Sequence, residues 1–146
     1  MPELLEFVPQ SGERYTAKLS DGSEIKTTLN VMTELRLYKG QELSEDEAEN
    51  FRSASLSALC FDHAIRLLNY GSLSRRDMIF KLTHKGETPE NAENAADRLV
   101  ELGLINDKAL AGMLVRGYSE RGYGFGRIKQ ELIRHGIDRD LWEGLF

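Results

Sequence analysis

The sequence predicts a mainly α protein of tandem three-helix repeat modules, the second one truncated, with a small N-terminal β-hairpin extension. Three observations predict this fold class: apolar alternation near the N-terminus, helical periodicity from residue 44 onward, and a self-similarity at a spacing of 50 residues. The predicted division is 1–43 for the hairpin extension, 44–106 for a linker helix and the first module, and 107–146 for the second module, incomplete at its C-terminus.

The composition limits the class of protein. The chain has 146 residues, of which 40% are hydrophobic and 29% charged, so we expect a folded core. No apolar run approaches the roughly 18 residues that a membrane-spanning helix requires. The first residues include Glu3 and Glu6 where a signal peptide would be basic, and the single Cys60 cannot form an internal disulfide. These features predict a soluble cytoplasmic protein.

The N-terminal segment has the alternation of two β-strands. Residues 14–19 and 25–29 alternate apolar and polar side chains, and residues 20–23 between them have turn chemistry. Residues 30–35 fit a third strand or, better, a short helical turn with Asn30 as its cap. We therefore expect a hairpin followed by a helical turn.

The hairpin has two candidate registers. A two-residue loop would place Leu19 opposite Glu24, whereas one further loop residue would place Leu19 opposite Ile25 and Tyr15 opposite Leu29. We prefer the second register because it pairs apolar residues.

Local start and stop signals predict the helices. Ser44 and Glu47 have the spacing of a capping box, Ser74 precedes a further helix, and Thr88-Pro89 combines a cap with proline at the first helical position. Further helices should begin near Asp107 and Arg127. The residues expected to face inward are Leu56, Leu59, Cys60, His63, Ala64, Leu67, Leu68, Met78, Ile79, Leu82, Ala92, Ala95, Ala96, Leu99, Leu102, Leu110, Met113, Leu114 and Tyr118.

A repeat appears when the chain is shifted by 50 residues against itself. The shift superposes Arg66 on Arg116, Met78 on Ile128, Leu82 on Leu132, and Gly86 on Gly136. Matching apolar positions and a terminal glycine are what duplicated packed helices need, so the repeat predicts two related modules.

Charge is distributed unevenly along the chain. Residues 1–107 carry 12 basic and 19 acidic side chains, whereas residues 108–139 carry 7 basic and 3 acidic ones. The overall pI near 5.3 argues against a protein that coats DNA, but a local basic face is compatible with it.

The candidate partner-binding residues are therefore basic residues of the second module: Arg116, Arg121, Arg127, Lys129, Arg134 and Arg139. The alternative interpretation is a solvated surface on which these side chains pair with Glu120 and Glu131. Arg116 has a further structural alternative, because Arg66 occupies the equivalent place and both side chains are suited to capping a neighbouring helix.

Catalytic and metal-binding interpretations have little support in the sequence. Residues 122–126 form a glycine-rich turn before a helix, but they lack the spacing of a dinucleotide or Walker motif. We expect Tyr123 and Phe125 to pack on the neighbouring module instead. Cys60 and His63 have ligand-like spacing, yet zinc requires four ligands and no others lie nearby in the sequence. We expect no catalytic residues, no metal and no cofactor.

Several motifs in the second half of the chain are specific: Gly103-Leu-Ile-Asn-Asp107, Ala111, Val115-Arg116, Arg121-Gly-Tyr-Gly124, Arg127-Ile-Lys-Gln-Glu-Leu132 and His135-Gly-Ile137. These motifs resemble the RecX family of bacterial proteins that regulate the RecA recombinase. A weaker match covers residues 64–82, where Asp77 replaces the glutamate usual in the family. The N-terminal hairpin followed by residues 35–43, with the motif at residues 39–44, resembles the extension of longer members. The resemblance thus spans nearly the whole chain.

The resemblance implies a regulatory protein without enzymatic activity. RecX-like proteins are understood to lie in the groove of the RecA filament on single-stranded DNA and to suppress ATP turnover, strand pairing and co-protease action. The implied roles are therefore in recombination, DNA repair and the SOS response, with weak direct contact with single-stranded DNA as a further option. The alternative from a different class is a helical module that binds nucleic acid directly.

The C-terminal end carries apolar residues on an incomplete repeat. The 50-residue shift places residues 140–146 on the first half of a helix, and a typical RecX member has a third module beyond it. The apolar side chains Leu141, Trp142, Leu145 and Phe146 must close onto Met113, Tyr118 and Leu132 or find a partner. We expect a truncated form whose apolar end frays or mediates self-association.

Overall fold

Six helices follow a small antiparallel sheet in the computed structural model, which describes all 146 residues. The mainly α fold class is thereby confirmed. The elements are β1 (Leu4–Pro9), β2 (Arg14–Leu19), β3 (Glu24–Thr28), α1 (Leu29–Glu34), α2 (Glu45–Leu68), α3 (Arg75–His84), α4 (Pro89–Glu101), α5 (Asp107–Glu120), α6 (Phe125–Arg134) and a C-terminal 3₁₀ helix (Arg139–Trp142).

Backbone contacts divide the chain into two compact units, Met1–Asp62 and His63–Phe146. The boundary lies within α2. The three-part division at residues 43 and 106 stays a prediction. No helix is both long and apolar enough to cross a membrane.

The sheet has three strands rather than the expected two, in the order β1-β2-β3 with both pairs antiparallel. The hairpin β2-β3 is confirmed, and β1 is the strand that the sequence did not reveal. Leu4 and Leu5 are adjacent, as are Phe7 and Val8, so β1 lacks the simple alternation that identified the other strands.

The preferred hairpin register was wrong. Ala17, rather than Leu19, lies opposite Ile25, and the Leu19 amide donates to the Ser23 carbonyl at 3.0 Å. At the turn the Asp21 carboxylate accepts hydrogen bonds from the Ser23 hydroxyl and, at 2.9 Å, from the Ser23 amide, which favours this register. The hydrogen bonds from the Ser23 hydroxyl and amide also lower the pKa of Asp21. The shift is two residues, so the side chains stay on the faces that the preferred register gave them.

The first unit has its core between the sheet and the N-terminal part of α2. The predicted capping box is confirmed: Ser44 Oγ accepts from the Glu47 amide at 3.1 Å, and the Glu47 carboxylate accepts from the Ser44 amide at 3.0 Å. The short helix α1 is also confirmed, but its cap is Thr28 and not Asn30. The buried core residues are Leu4, Ala17, Leu19, Ile25, Val31, Leu43, Ala48 and Phe51.

In the second unit, α3 packs against α4, and α5 packs against α6 and the 3₁₀ helix. The helices α3 and α6 begin and end 50 residues apart. Four equivalent side chains, Met78 with Ile128 and Leu82 with Leu132, are fully buried. The predicted repeat is confirmed.

Three residues expected to face inward do not. Leu56 and Leu102 are each 57% exposed, and Met113 is 50% exposed. Leu102 is the C-cap residue that follows α4, so its side chain does not lie on the buried face of that helix. In α5 the buried positions include Ala111 and Val115, which turns the core face away from Met113.

The C-terminal apolar residues mostly pack within their own module. Residues 139–142 form a 3₁₀ helix rather than the first half of an α-helix. Leu141, Trp142 and Leu145 pack against the core cluster that contains Leu132. For these three side chains, closure onto their own module replaces the expected fraying or intermolecular burial.

Candidate partner-binding site

The candidate site is built on α5, α6 and the turn between them. The Asn106 side chain caps α5 by accepting from the Ala109 amide at 3.0 Å. Gly122 ends α5 with a φ of +84°, a conformation that favours glycine. The chain then folds back, and the Tyr123 amide donates to the Tyr118 carbonyl at 3.0 Å. The turn therefore brings two tyrosines together.

Tyr118 and Tyr123 stack with ring centroids 5.0 Å apart. The Arg121 guanidinium lies 5.6 Å from the centre of the Tyr118 ring, and that of Arg127 lies 3.7 Å from the centre of the Tyr123 ring. We call these four residues the tyrosine–arginine strip. Cations over aromatic faces are attracted by the ring quadrupole, so the strip holds two arginines in defined positions without neutralising them.

Two further candidate cations lie over C-terminal aromatic rings. The Lys129 ammonium is 5.4 Å from the centre of the Phe146 ring, and the Arg139 guanidinium is 5.9 Å from that of Trp142. Four of the six predicted residues therefore contact an aromatic ring instead of a carboxylate. Phe146 also meets Phe125 edge to face at 5.5 Å.

Arg134 differs from the other candidates because it forms an ion pair. Its guanidinium is 2.7 Å from the Glu131 carboxylate, and hydrogen bonding to Glu131 raises the pKa of Arg134. The Tyr118 hydroxyl donates to the same Glu131 oxygen at 3.2 Å. The Arg134 side chain is nevertheless 71% exposed, so the pair is a surface pair that stabilises the fold little.

These contacts join three of the six predicted residues into one group. Arg121 and Arg127 belong to the tyrosine–arginine strip, and Tyr118 links Arg134 to it through Glu131. Lys129 and Arg139 lie over Phe146 and Trp142. Arg116 stands apart on α5, where its guanidinium folds back towards Gly112.

The expectation that Tyr123 and Phe125 pack on the neighbouring module was wrong for both residues. Tyr123 packs against the core of its own module, in the cluster that includes Ile128 and Leu132. Phe125 is 66% exposed. Gly122 places the turn back over α5, which directs Tyr123 onto its own module.

Arg76 makes the helix-end contact that the sequence suggested for Arg66 and Arg116. Its guanidinium donates to the Ile133 carbonyl in the last turn of α6 at 3.1 Å. A Cβ on Gly136, which follows α6, would lie only 2.7 Å from Arg76 Nε. The start of α3 and the end of α6 are therefore in close contact.

The neighbouring Arg75 connects the start of α3 to two more helices. Its amide donates to the Asp107 carboxylate at 3.0 Å, and its guanidinium bonds Asp97 of α4 at 2.7 Å, which raises the pKa of Arg75. We call residues 74–76 the junction. The sequence identified Ser74 only as a cap and did not indicate the close contact with Gly136.

Cys60 and His63 do not form a metal site. Cys60 is buried, and the His63 ring lies 3.4 Å from the Glu87 carboxylate. No group of three or more His, Cys, Asp or Glu side chains is close enough to hold a metal ion.

Fold and surface define the class: a tandem three-helix repeat protein whose second module displays exposed cations on an aromatic support. A family model described as RecX, second three-helix domain, matches residues 106–144. A crystal structure of regulatory protein RecX superposes with a TM-score of 0.80 at 26% identity, over 99% of this chain and 72% of that chain. Together with the curated relatives below, these matches show that the chain is similar to RecX proteins, with the family model covering its second three-helix module.

Two curated relatives show the extent of the similarity. Regulatory protein RecX of Enterococcus faecalis is 29% identical over 147 residues, which cover 99% of this chain and 55% of the relative. Regulatory protein RecX of Halorhodospira halophila is 37% identical over 76 residues, 52% of this chain and 47% of the relative. The chain spans about half the length of these relatives.

Proposed function

We propose that this chain binds the RecA filament on single-stranded DNA and lowers its ATPase, strand-exchange and co-protease activities. The family supports a regulatory role, and the resemblance of the sequence motifs supports RecA as the partner. The observation that carries the proposal is the set of exposed cations on the second module, most of which lie over aromatic rings rather than beside carboxylates. A surface of this kind suits an acidic partner.

The proposed setting is the cytoplasm, in recombination, DNA repair and the SOS response. We propose that the protein is not an enzyme and acts by binding alone. A protein built from repeated three-helix modules suits a partner that itself repeats along a filament.

Steady-state ATPase assays test the proposal. RecA on single-stranded DNA should hydrolyse ATP more slowly as this protein is added, and the protein alone should hydrolyse none. An unchanged RecA rate at saturating protein, or an intrinsic turnover that survives repurification, contradicts it.

Direct binding of single-stranded nucleic acid is the second candidate function. The tyrosine–arginine strip favours it, because alternating aromatic and cationic groups are typical of surfaces that bind bases and phosphates together. The overall negative charge of the chain disfavours it.

Fluorescence anisotropy separates the two candidates. Labelled single- and double-stranded DNA should bind weakly to the protein alone, and the protein should join the DNA strongly only when RecA and a nucleotide are present. Tight, salt-dependent binding without RecA would favour the second candidate.

A further inference from the structure

The exposed face of α5 carries an apolar groove that begins beside Leu104 and meets the tyrosine–arginine strip at Tyr118 and Arg121. Two cavities, of about 200 Å³ and about 210 Å³, adjoin along the helix and share Met113. Leu104 and Leu110 line the first cavity, and Gly117, Tyr118 and Arg121 line the second.

The groove follows the axis of α5. Leu110, Met113, Gly117 and Arg121 are spaced by three or four residues, which places them on one side of a helix. Leu110 and Arg121 are 11 residues apart, so at about 1.5 Å per residue the lining side chains extend about 16 Å along the helix axis. This length corresponds to about three turns of a partner helix.

The chemistry of the groove is apolar with a cation at one end. Leu104 is 55% exposed and Met113 50%, although both are large apolar side chains. Methionine adapts its shape to a partner at little cost. Arg121 is the charged residue among the lining side chains, and its guanidinium has an aromatic ring rather than a carboxylate beneath it.

Gly117 leaves the middle of the groove open. Its backbone is ordinary α-helix, and a Cβ added there would meet nothing within 4 Å. The bare backbone lets another helix approach α5 closely, since the distance between packed helices depends on the side chains at the contact.

We propose that this groove binds an amphipathic helix of the RecA filament, with its apolar face on Leu104 and Met113 and an acidic side chain beside Arg121. The inference rests on the proposed function and specifies where the partner docks. The unpaired cation at one end argues for an acidic partner helix, and the exposed apolar side chains argue for its amphipathic character.

The test fills the groove without disturbing the fold. Gly117→Leu adds a side chain in open space and removes a helical glycine, so the variant should be at least as stable as the wild type. Ser119→Leu is the matched control, because Ser119 is exposed on the opposite side of the same helical turn. A second variant, Met113→Glu, places a carboxylate in the groove. Circular dichroism checks the fold of all three.

Filament affinity is measured by anisotropy with RecA on labelled single-stranded DNA. Gly117→Leu and Met113→Glu should each weaken binding about tenfold or more, which corresponds to about 1.4 kcal/mol, while Ser119→Leu should not. Equal affinity of the wild type and both groove variants overturns the inference and leaves the proposed function standing. A wild type that does not bind the filament overturns both.

Sedimentation of the same variants tests whether the groove binds a second copy of this chain instead of a helix of the filament. If Gly117→Leu abolishes self-association of the chain while filament affinity is unchanged, the groove receives a second copy and the proposal is wrong.

Discussion

The first repeat module ends in a helix of 13 residues, α4, whereas the equivalent place in the second module holds a 3₁₀ helix of four residues. Both elements start at the same repeat position, after Thr88 and after Asp138. Thr88 caps its helix by accepting from the Asn91 amide, and Asp138 makes no such bond. A shared starting point therefore does not fix the length of an element.

The residues that follow explain the difference. In α4 an alanine-rich stripe is buried along the whole helix, from Ala92 to Leu99. In the second module Gly144 has a φ of +81°, which turns the chain out of a helical path, and the large side chain of Trp142 packs at the edge of the core. Small inward residues allow close packing of a regular helix, whereas this segment packs through a few large side chains.

The two modules also differ in charge at equivalent positions. Arg116 has an arginine counterpart, Arg66, but none of the other five candidate cations has a lysine or arginine counterpart. Their counterparts are Gly71 for Arg121, Asp77 for Arg127, Ile79 for Lys129, His84 for Arg134 and Pro89 for Arg139. Tyr118 and Tyr123, which support the strip, replace Leu68 and Leu73. Because the helical framework is shared, this particular arrangement of cations and tyrosines belongs to the sequence of the second module and not to the framework.

The largest expected effect concerns the two equivalent glycines after α3 and α6. Gly86 and Gly136 both have positive φ, but a Cβ at Gly86 meets nothing within 4 Å, whereas one at Gly136 strikes Arg76 and Ser74. Gly86→Ala should cost about 1–2 kcal/mol from backbone strain alone. Gly136→Ala should cost about 1–3 kcal/mol more, because overpacking adds to the strain. Urea denaturation measures both, and equal losses would show that the junction relaxes freely.

The next largest effect is on filament affinity, which we compare after charge reversal in the second module and in the first. Arg127→Glu, Lys129→Glu and Arg134→Glu together should weaken filament binding about tenfold or more. The matched control reverses Arg66, Lys81 and Lys85, three exposed cations of the first module, with the same change in net charge. Anisotropy gives the affinities and circular dichroism the helicity. If both triple variants lose affinity equally, net charge and not the second module governs binding.

The smallest expected effect concerns the N-terminal caps of α3 and α6. Ser74 caps α3 through the Asp77 amide at 3.1 Å, while Gly124 precedes α6 without a side-chain bond. Ser74→Ala should destabilise the protein by about 1 kcal/mol, and Gly124→Ser should stabilise it by a few tenths of a kcal/mol. Thermal melts followed by circular dichroism measure both changes. A destabilising Gly124→Ser would mean that α6 needs the glycine for another reason.

Signals that act within a few residues were predictable from the sequence. The capping box at Ser44, the caps at Ser74 and Thr88, and the terminal glycines located most helices, because these groups satisfy backbone hydrogen bonds locally. The repeat itself was also visible, since equivalent buried positions require similar residues in both modules.

The sequence located the cations of the candidate site, but not their contacts. Their number in residues 108–139 and their helical spacing follow from the amino-acid sequence alone. That Arg127 lies over Tyr123 while Arg134 pairs with Glu131 depends on side-chain directions at the turn of Gly122. A count of charges cannot give these directions.

The sequence by itself determined the mainly α class, the repeat and the caps, all of which follow from local chemistry and periodicity. Only the tertiary structure decided that Leu4–Pro9 is a strand, that Met113 faces outward and that the Arg76 guanidinium donates to a carbonyl in the last turn of α6. Strand pairing, exposure and helix-end contacts join residues distant in sequence. They depend on which surfaces meet in the folded chain, and no local pattern encodes that choice.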